Sequence, residues 1–211
     1  MAIKPILFIT EMVRATMDGR KTCTRRVIKL PWEECPACKY VHNEYIYDKM
    51  AENVYCARCG CLLEPERRSP YQPGDILYVR ETWMDYAGLT MYKADCDIYR
   101  LDSLNFAGFG WKPSIHMPKE AARIWLKVTN VRVERLQDIT EDGAKAEGAI
   151  DNRGFIHSPE NEYDRIYTAR EHFIEIWDRT IKKSDLNIYG WDANPWIWVI
   201  EFERCEKPKE V

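Results

Sequence analysis

Two closely spaced cysteine pairs place the strongest constraint on how this chain of 211 residues can fold. Cys35 and Cys38 form the first pair, Cys56 and Cys59 form the second, and residues 39–55 lie between them. CxxC pairs at this separation are typical of a site in which four thiolates hold one zinc ion. Because closed four-thiolate sites are structural, the pattern predicts a zinc-ribbon-like insertion that is stabilised by structural Zn²⁺ and takes no part in chemistry.

Two other residues could replace Cys59 as the fourth zinc ligand. Cys61 lies two residues after Cys59 and offers an alternative to it, but the spacing favours Cys59. His42 is a weaker substitute and is predicted to be an exposed polar residue. The other cysteines lack ligand-like neighbours and are predicted to be small buried apolar residues: Cys23, Cys96 and Cys205.

Hydropathy and net charge restrict the cellular compartment and the binding partners that we expect for this protein. The chain has no apolar run long enough to span a membrane and no secretory leader, so we expect a cytoplasmic protein without a membrane partner. Disulfides are rare in that reducing environment, which favours metal ligation or free thiols for the eight cysteines. The net charge of -3 excludes a polycation that coats nucleic acid, so any nucleic-acid contact must come from a local basic patch.

The densest positive charge lies in the basic segment, residues 19–26, whose sequence is Gly-Arg-Lys-Thr-Cys-Thr-Arg-Arg. Four cations without an acidic residue indicate an anionic or polar ligand, although a basic surface turn would have the same composition. The preceding residues predict a helix with Thr10 as its N-cap and Gly19 as the left-handed residue that ends it. The basic segment is therefore predicted to be the exit from a helix, followed by a strand over residues 27–30.

The remaining segments predict an α+β fold. Strands are predicted over residues 5–9, 76–83, 122–136 (with a bulge near 129–130) and 196–203, helices over 139–148 and after a capping box of Thr168 and Glu171, and a polar loop over 149–166. Because strands and helices do not alternate regularly, we expect a mostly antiparallel sheet or a small barrel. Residues 1–30 and 71–211 are predicted to form one domain, and residues 31–70 the insertion.

Several of these segments resemble the ASCH domain, a member of the PUA-like superfamily. The resemblance rests on the basic segment, the turn at residues 73–75, the helix from Ile139 to Glu147 and the closing strand at residues 199–202. It covers most of the chain outside the cysteine insertion. The resemblance implies a small, mostly antiparallel PUA-like β-barrel flanked by helices, with a cleft that takes nucleotides or RNA.

Three segments are more narrowly similar to the longer ASCH proteins of phages and prophages. These are residues 5–29, the strand at residues 80–83 and the proline-bounded segment at residues 111–118. The partner implied by this resemblance is a nucleoside, RNA or a modified nucleic acid.

One bacterial branch of the ASCH family hydrolyses N(4)-acetylcytidine with a lysine, a threonine three residues later and a glutamate in a later helix. The resemblance places these catalytic residues on Lys21, Thr24 and Glu147. This chain is longer than the members of that branch and carries the cysteine insertion. The predicted ligand-binding residues of the same cleft are Arg20, Arg25, Arg26, Arg80, Glu81, Trp83, Trp111 and His116.

Each of the outlying candidates also has an ordinary structural interpretation. Arg80 and Glu81 could form a cross-strand ion pair, Trp83 and Trp111 could belong to the core, and His116 could be a loop histidine. Residues 21 and 24 also raise a geometric condition, because on one straight strand they would point to opposite faces. Lys21 must therefore lie in the turn after Gly19, with Thr24 at the beginning of the strand.

The chemistry of an N(4)-acylated cytidine suits such a site, because the leaving nitrogen is delocalised into the ring. Thr24 would attack the acyl group with Lys21 as its base, and Glu147 would pass a proton to the departing amine. The predicted function is therefore amide hydrolysis on an N(4)-acylated cytidine. The alternative is a protein that binds RNA or modified nucleic acid without turnover, and ribonuclease activity is a weaker third interpretation because no residue indicates a base for a ribose hydroxyl.

Overall fold

The fold is known from a computed structural model, which describes residues 1–29, 35–39, 45–64, 69–86, 88–96, 110–151, 155–156 and 165–209. The strands are β1 (Ile3–Leu7), β2 (Cys23–Val27), β3 (Tyr45–Asp48), β4 (Asn53–Cys56), β5 (Leu62–Glu64), β6 (Ile76–Arg80), β7 (Trp83–Tyr86), β8 (Leu89–Tyr92), β9 (Trp125–Arg135), β10 (Phe155–Ile156), β11 (Arg165–Ile166) and β12 (Trp196–Cys205). The helices are α1 (Thr10–Met17), α2 (Glu141–Ala146), α3 (Ala169–Thr180) and α4 (Leu186–Tyr189). The predicted α+β class is confirmed.

The main sheet has five strands in the order β1-β6-β9-β12-β2. β1 and β6 are parallel and the other pairs are antiparallel, which confirms a mostly antiparallel arrangement. β12 lies between β9 and β2, and its apolar run is buried on both faces, as a continuous hydrophobic strand predicts. No strand pairing within the described residues joins β1 to β2, so the sheet is open there and not the closed barrel that the resemblance implies.

The predicted bulge in β9 is confirmed. Asn130 pairs with Glu201, whereas Val128 pairs with Phe202, so Thr129 is the extra residue between them. A bulge increases the local twist of a long strand. It allows the eleven residues of β9 to pair with β6 at one end and to follow β12 over its whole length.

The predicted C-terminal end of α1 is confirmed, whereas its predicted N-cap is displaced by one residue. α1 begins at Thr10 itself, with Ile9 in the N-cap position, so the predicted cap is one residue late. Gly19 has a φ of 75° and ends the helix as expected. β2 begins at Cys23, inside the basic segment, which is therefore half turn and half strand. Leu30, the end of the predicted strand, lies outside the described residues.

The predicted caps of α2 and α3 are both present. Thr140 Oγ1 accepts a hydrogen bond from the Gly143 N–H at 3.0 Å. Thr168 and Glu171 form the reciprocal capping box at the start of α3. These caps fix where the two helices begin, and α2 and α3 pack against each other beside β2 and β12.

Two predicted segments differ from the structure in where their strands begin and end. The strand predicted over 76–83 ends at Arg80, after which the chain turns and β7 forms a hairpin with β8. Within the predicted polar loop over 149–166, β10 and β11 form a short antiparallel pair. In both places the ends of the strands depend on which strand pairs with the segment. The local sequence pattern does not identify that partner.

The cysteine insertion contains a three-stranded antiparallel sheet in the order β3-β4-β5. Tyr47 packs edge-on against Trp198 of the main sheet, with ring centroids 5.7 Å apart. The Tyr45 hydroxyl donates to the Ile28 carbonyl at 2.8 Å. The buried side chains of the insertion therefore belong to the same apolar cluster as β1, β9 and β12. His42 lies outside the described residues.

Among the helices that the structure describes, none combines the length and the apolar character needed to cross a membrane.

Asp75 connects the N-terminal strand to the turn before β6. Its carboxylate accepts hydrogen bonds from the Ala2 N–H at 2.9 Å, the Gln72 N–H at 3.0 Å and the Lys4 ammonium at 2.7 Å. Burial alone would raise the pKa of Asp75, but the hydrogen bonds from Lys4 and from the two backbone N–H groups hold it below its ordinary value of 3.8. A lowered folded-state pKa means that this contribution to stability is present above the unfolded-state pKa and is lost as the pH falls through the folded-state value.

Replacing this carboxylate should therefore destabilise the protein in a pH-dependent way. We expect Asp75→Asn to lower the free energy of unfolding by about 2 kcal/mol at neutral pH, because an amide nitrogen cannot accept from Lys4 or Gln72. The difference from the unmodified protein should shrink in acid. Chemical denaturation at both pH values measures it, with the exposed Asp85→Asn as control. An equal loss at both pH values would contradict the assignment.

Candidate functional site

A cavity of about 190 Å³ lies beside β2, between the start of α1, the end of α2 and one face of α3. Its polar lining includes Lys21, Thr24, Arg25, Arg26 and Glu147. The structure therefore brings the three residues predicted as catalytic, and two of the predicted ligand-binding residues, to one place. The roles of these residues stay predictions.

Lys21 and Glu147 form a buried ion pair at this cavity. Lys21 Nζ donates to Glu147 Oε2 at 2.6 Å, to the Glu147 carbonyl at 2.8 Å and to the Cys23 carbonyl at 2.8 Å. Lys21 is 3% exposed and Glu147 is 5% exposed. An ammonium group has three N–H donors, so all three are used. The arrangement holds a charged lysine against a carboxylate at a distance short enough for proton transfer.

The close approach of two helix ends creates this pair. After α1, the N–H groups of Arg20 and Lys21 both donate to the Ala15 carbonyl, and Gly19 supplies the left-handed turn. After α2, Gly148 has a φ of 94°, and a Cβ there would lie 2.6 Å from the Cβ of Ala15. Only glycine fits this contact. The Thr22 N–H also donates to the Ala146 carbonyl at 2.8 Å, which joins the basic segment to the end of α2.

Thr24 meets the geometric condition set by the sequence. Lys21 lies in the turn before β2, whereas Thr24 is in the strand and pairs with Ile200 of β12. Thr24 is 4% exposed and lines the cavity. Its hydroxyl makes no hydrogen bond to the part of the chain that the structure describes. The hydroxyl is therefore available to a ligand.

Arg25 is a buried cation with poorly satisfied donors. Its NH1 lies 3.4 Å from Glu147 Oε1, and its NH2 lies 3.5 Å from Glu134 Oε2. Its Nε is buried and has no hydrogen-bond partner in the described part of the chain. Buried donors without acceptors are uncommon in folded proteins and need an explanation such as a ligand. Arg26 also lines the cavity, and its NH2 donates to the Leu7 carbonyl at 2.8 Å.

Cys23 is the other potential nucleophile near the pair. Burial raises the pKa of its thiol to about 12, and the charge of Glu147 contributes in the same direction. The thiol is therefore protonated at neutral pH, and a thiolate is the form that attacks carbonyl groups. Among the side chains around Lys21, this leaves the Thr24 hydroxyl as the candidate nucleophile.

The other predicted ligand-binding residues lie outside the cavity. Arg20 is at the helix exit, where it donates to the Gly148 carbonyl at 3.1 Å and to Asp18 at 3.0 Å. Arg80 donates to the carbonyls of Met117 and Ile115. His116 is exposed in a short 3-10 turn. None of these three side chains lines the cavity.

Glu81 and the two tryptophans have structural surroundings. Glu81 is 1% exposed and accepts two hydrogen bonds from Arg123, at 2.9 and 3.0 Å, so its ion-pair partner is Arg123 and not Arg80. Burial raises the pKa of Glu81, and Arg123 opposes the rise. Trp83 packs in an apolar cluster, with Lys112 Nζ 4.7 Å from its ring centroid. Trp111 is half-buried away from the cavity.

Sequence reasoning missed most of the apolar lining of the cavity. Phe8 and Met12 contribute from the start of the chain, and Phe173, Ile176 and Trp177 contribute from α3. The spacing of the α3 residues predicted a buried helix face. A hydrophobic pattern cannot distinguish a face that packs in the core from one that lines a cavity, because both exclude water.

The cysteine cluster forms the second candidate site. The Sγ atoms of Cys35, Cys38, Cys56 and Cys59 lie within 4.8 Å of one another, close enough to hold one metal ion. The turns after each pair have left-handed residues, Lys39 with a φ of 57° and Gly60 with a φ of 68°. Burial would raise the pKa of Cys35, but hydrogen bonds led by the Cys38 backbone N–H lower it to about 6. A thiolate, the form that binds metals, is therefore favoured at this position.

Cys61 lies close to the same cluster, with its Sγ 3.2 Å from that of Cys35. The Cys56 N–H donates to the Cys61 carbonyl at 2.9 Å, so the backbone of Cys61 shapes the loop that carries the second cysteine pair. Cys23 and Cys96 are buried, in agreement with their predicted role, and Cys205 is half-buried.

Comparison of the chain with family models, with curated proteins and with solved structures found no match in any of the three. The geometry of the two sites is therefore the basis for assigning a function.

Proposed function

We propose that this chain is a nucleotide-directed protein of the ASCH type that hydrolyses the amide of N(4)-acylated cytidine. The observation that carries the proposal is the 2.6 Å contact between Lys21 Nζ and Glu147 Oε2 in a cavity that Thr24 also lines. A hydroxyl, an amine and a carboxylate are the groups that a nucleophile, its base and a proton donor require. They come from two distant parts of the chain.

The reaction begins with proton transfer within the buried pair. One Lys21 proton moves to Glu147, which leaves a neutral amine beside a carboxylic acid. The amine takes the hydroxyl proton of Thr24 as Oγ1 bonds to the acyl carbon of the substrate. Glu147 then gives its proton to N4 of the cytosine as the carbon–nitrogen bond breaks. The products of this half-reaction are cytidine and an acyl ester on Thr24.

Water completes the cycle by attacking the ester carbon. At this stage the pair is an ammonium and a carboxylate. Glu147 takes a proton from the water, and Lys21 gives a proton to Thr24 Oγ1. The carboxylic acid leaves, and return of a proton from Glu147 to Lys21 restores the starting carboxylate and ammonium. The overall change is an amide and water converted to an amine and an acid.

The size of the cavity favours a single nucleoside over a polymer as the ligand. Pockets for drug-sized ligands have volumes of about 300–1,000 Å³, and this cavity of about 190 Å³ is smaller. It has room for only a part of one substrate molecule. RNA binding would instead require an extended surface with several phosphate contacts.

We propose that the cysteine cluster holds structural Zn²⁺. Four sulfurs at 2.3 Å from a tetrahedral zinc ion are about 3.8 Å apart. The Cys35–Cys59 and Cys38–Cys56 sulfur distances, 3.8 and 3.7 Å, fit this value. The Cys35–Cys61 distance of 3.2 Å is too short for two ligands of one such ion, which supports Cys59 as the fourth ligand. The four thiolates would hold the zinc ion in a closed site. The zinc would therefore take no part in the chemistry of the cavity.

Cytidine release from N(4)-acetylcytidine tests the proposed activity. We expect steady release by the unmodified protein and a loss of roughly a hundredfold or more in Lys21→Ala, because proton transfer is removed. Lys29→Ala, which changes an exposed lysine just after β2, is the control and should keep full activity. Release by the unmodified protein no faster than by Lys21→Ala would rule out the amidohydrolase.

A further inference from the structure

We propose that the apolar part of the cavity is an acyl-group site, and that the preferred substrates carry a linear acyl chain longer than acetyl. In this site the acyl carbonyl oxygen accepts a hydrogen bond from Arg25 Nε, and the chain lies among the apolar side chains of α1 and α3. The inference rests on the proposed amidohydrolase function and names its substrate class.

Arg25 provides the first reason. Its buried Nε–H has no acceptor among the described residues. The other guanidinium contacts are long, at 3.4 Å to Glu147 and to the Gly143 carbonyl, 3.5 Å to Glu134 and 3.7 Å to Cys23 Sγ. By contrast, Lys21 has partners at 2.6 and 2.8 Å. Arg25 is the residue after the candidate nucleophile and lines the same cavity, so an unpaired donor on it is suited to the oxygen of the reacting carbonyl, where negative charge develops. A carbonyl oxygen at this point would satisfy the donor that the protein leaves open.

The distribution of polarity provides the second reason. Phe8, Met12, Phe173, Ile176 and Trp177 line the cavity with apolar surface. The polar groups on the α3 side chains in the lining are already used, because the Thr180 hydroxyl donates to the Trp177 carbonyl at 2.7 Å and the Trp177 Nε1–H donates to the Tyr189 carbonyl at 2.8 Å. A cytosine ring placed against these side chains would lose water from N3 and O2 without new hydrogen bonds, which is unfavourable. A hydrocarbon chain has no such groups to desolvate.

The volume provides the third reason. A cavity of about 190 Å³ is larger than the apolar cavity of about 150 Å³ that suffices to bind benzene in an engineered protein. One acetyl methyl group leaves most of that space unfilled. Each further methylene that enters the apolar part should raise kcat/KM about fourfold, as expected for the transfer of one methylene from water.

A chain-length series tests the inference. We expect kcat/KM to rise about fourfold from N(4)-acetylcytidine to N(4)-propionylcytidine and again to N(4)-butyrylcytidine. A flat or falling series would overturn the acyl-group site while leaving the amidohydrolase intact. If none of the three amides is hydrolysed, the proposed function fails.

Binding of the free acids gives a readout that does not depend on turnover. Butyrate should bind about fifteenfold more tightly than acetate in titration calorimetry, because it buries two more methylenes. Equal binding of the two acids, or binding of neither, would contradict the acyl-group site.

Two substitutions separate the parts of the proposal. Ile181 lines the cavity and is half-buried, so Ile181→Phe should fill the space and reduce the butyryl-to-acetyl ratio of kcat/KM to about one. Ile115→Phe, at a residue that is 58% exposed and outside the cavity, should leave the ratio unchanged. Arg25→Met should lower kcat/KM about a hundredfold for every chain length and keep the ratio. An unchanged ratio in Ile181→Phe would refute the placement of the chain.

Discussion

Thr24→Val should abolish turnover of N(4)-acylated cytidine and leave the fold intact. Valine has nearly the shape of threonine but lacks the hydroxyl, which is the proposed nucleophile. Removal of a nucleophile costs more than removal of most other groups, so we expect kcat to fall by roughly a thousandfold or more. Release of cytidine, followed by chromatography, measures the loss.

The stability of this variant should change little. The Thr24 hydroxyl has no hydrogen-bond partner within the described residues, so its loss leaves no protein group unpaired. Thr22→Val is the matched control, since Thr22 lies two residues earlier in the same segment and is exposed. The control should keep full activity. If Thr24→Val retained the activity of Thr22→Val, water activated by the Lys21–Glu147 pair would be the nucleophile instead.

The parts of the fold that follow local rules could be predicted from the sequence. The capping box of Thr168 and Glu171, the cap at Thr140 and the end of α1 at Gly19 are all decided within a few residues. The bulge in β9 also left a local signal, a change in the phase of the apolar alternation near Thr129. Such features depend on backbone hydrogen bonds that one segment can satisfy by itself.

Features that depend on distant partners were not predictable in the same way. Pairing with β12 extends β2 back to Cys23, although Thr24, Arg25 and Arg26 have no strand pattern of their own. The burial of Glu81 depends on Arg123, forty-two residues away. The openness of the main sheet depends on which strands meet at its edges, and no single strand carries that information.

The contact between Lys21 and Glu147 could be predicted only in part. The family resemblance selected the two residues, but their contact depends on Gly148, because any other side chain there would collide with Ala15. The sequence shows a glycine after a helix, which is common. Only the packing of the two helix ends shows that this glycine sets the distance within the ion pair.

The cysteine insertion is connected to the cavity through the main sheet. Tyr47 of the insertion packs on Trp198 of β12, and Trp198 pairs with Arg26 of β2. Thr24 is two residues before Arg26 on the same strand. A disordered insertion would therefore remove packing from the strand pair that carries the candidate nucleophile. This predicts that loss of the metal lowers both stability and activity.

Cys38→Ser should remove the bound metal and destabilise the protein. A three-stranded sheet of this size buries too little apolar surface to fold by itself, so the metal should add to the stability that packing on the main sheet provides. We expect less than half an equivalent of zinc per chain by elemental analysis and a Tm lower by at least about 10 °C. Cys61→Ser is the matched control, because Cys61 Sγ is 3.2 Å from Cys35 Sγ but does not fit the tetrahedral spacing. It should keep one equivalent of zinc, and the reverse result would make Cys61 the fourth ligand.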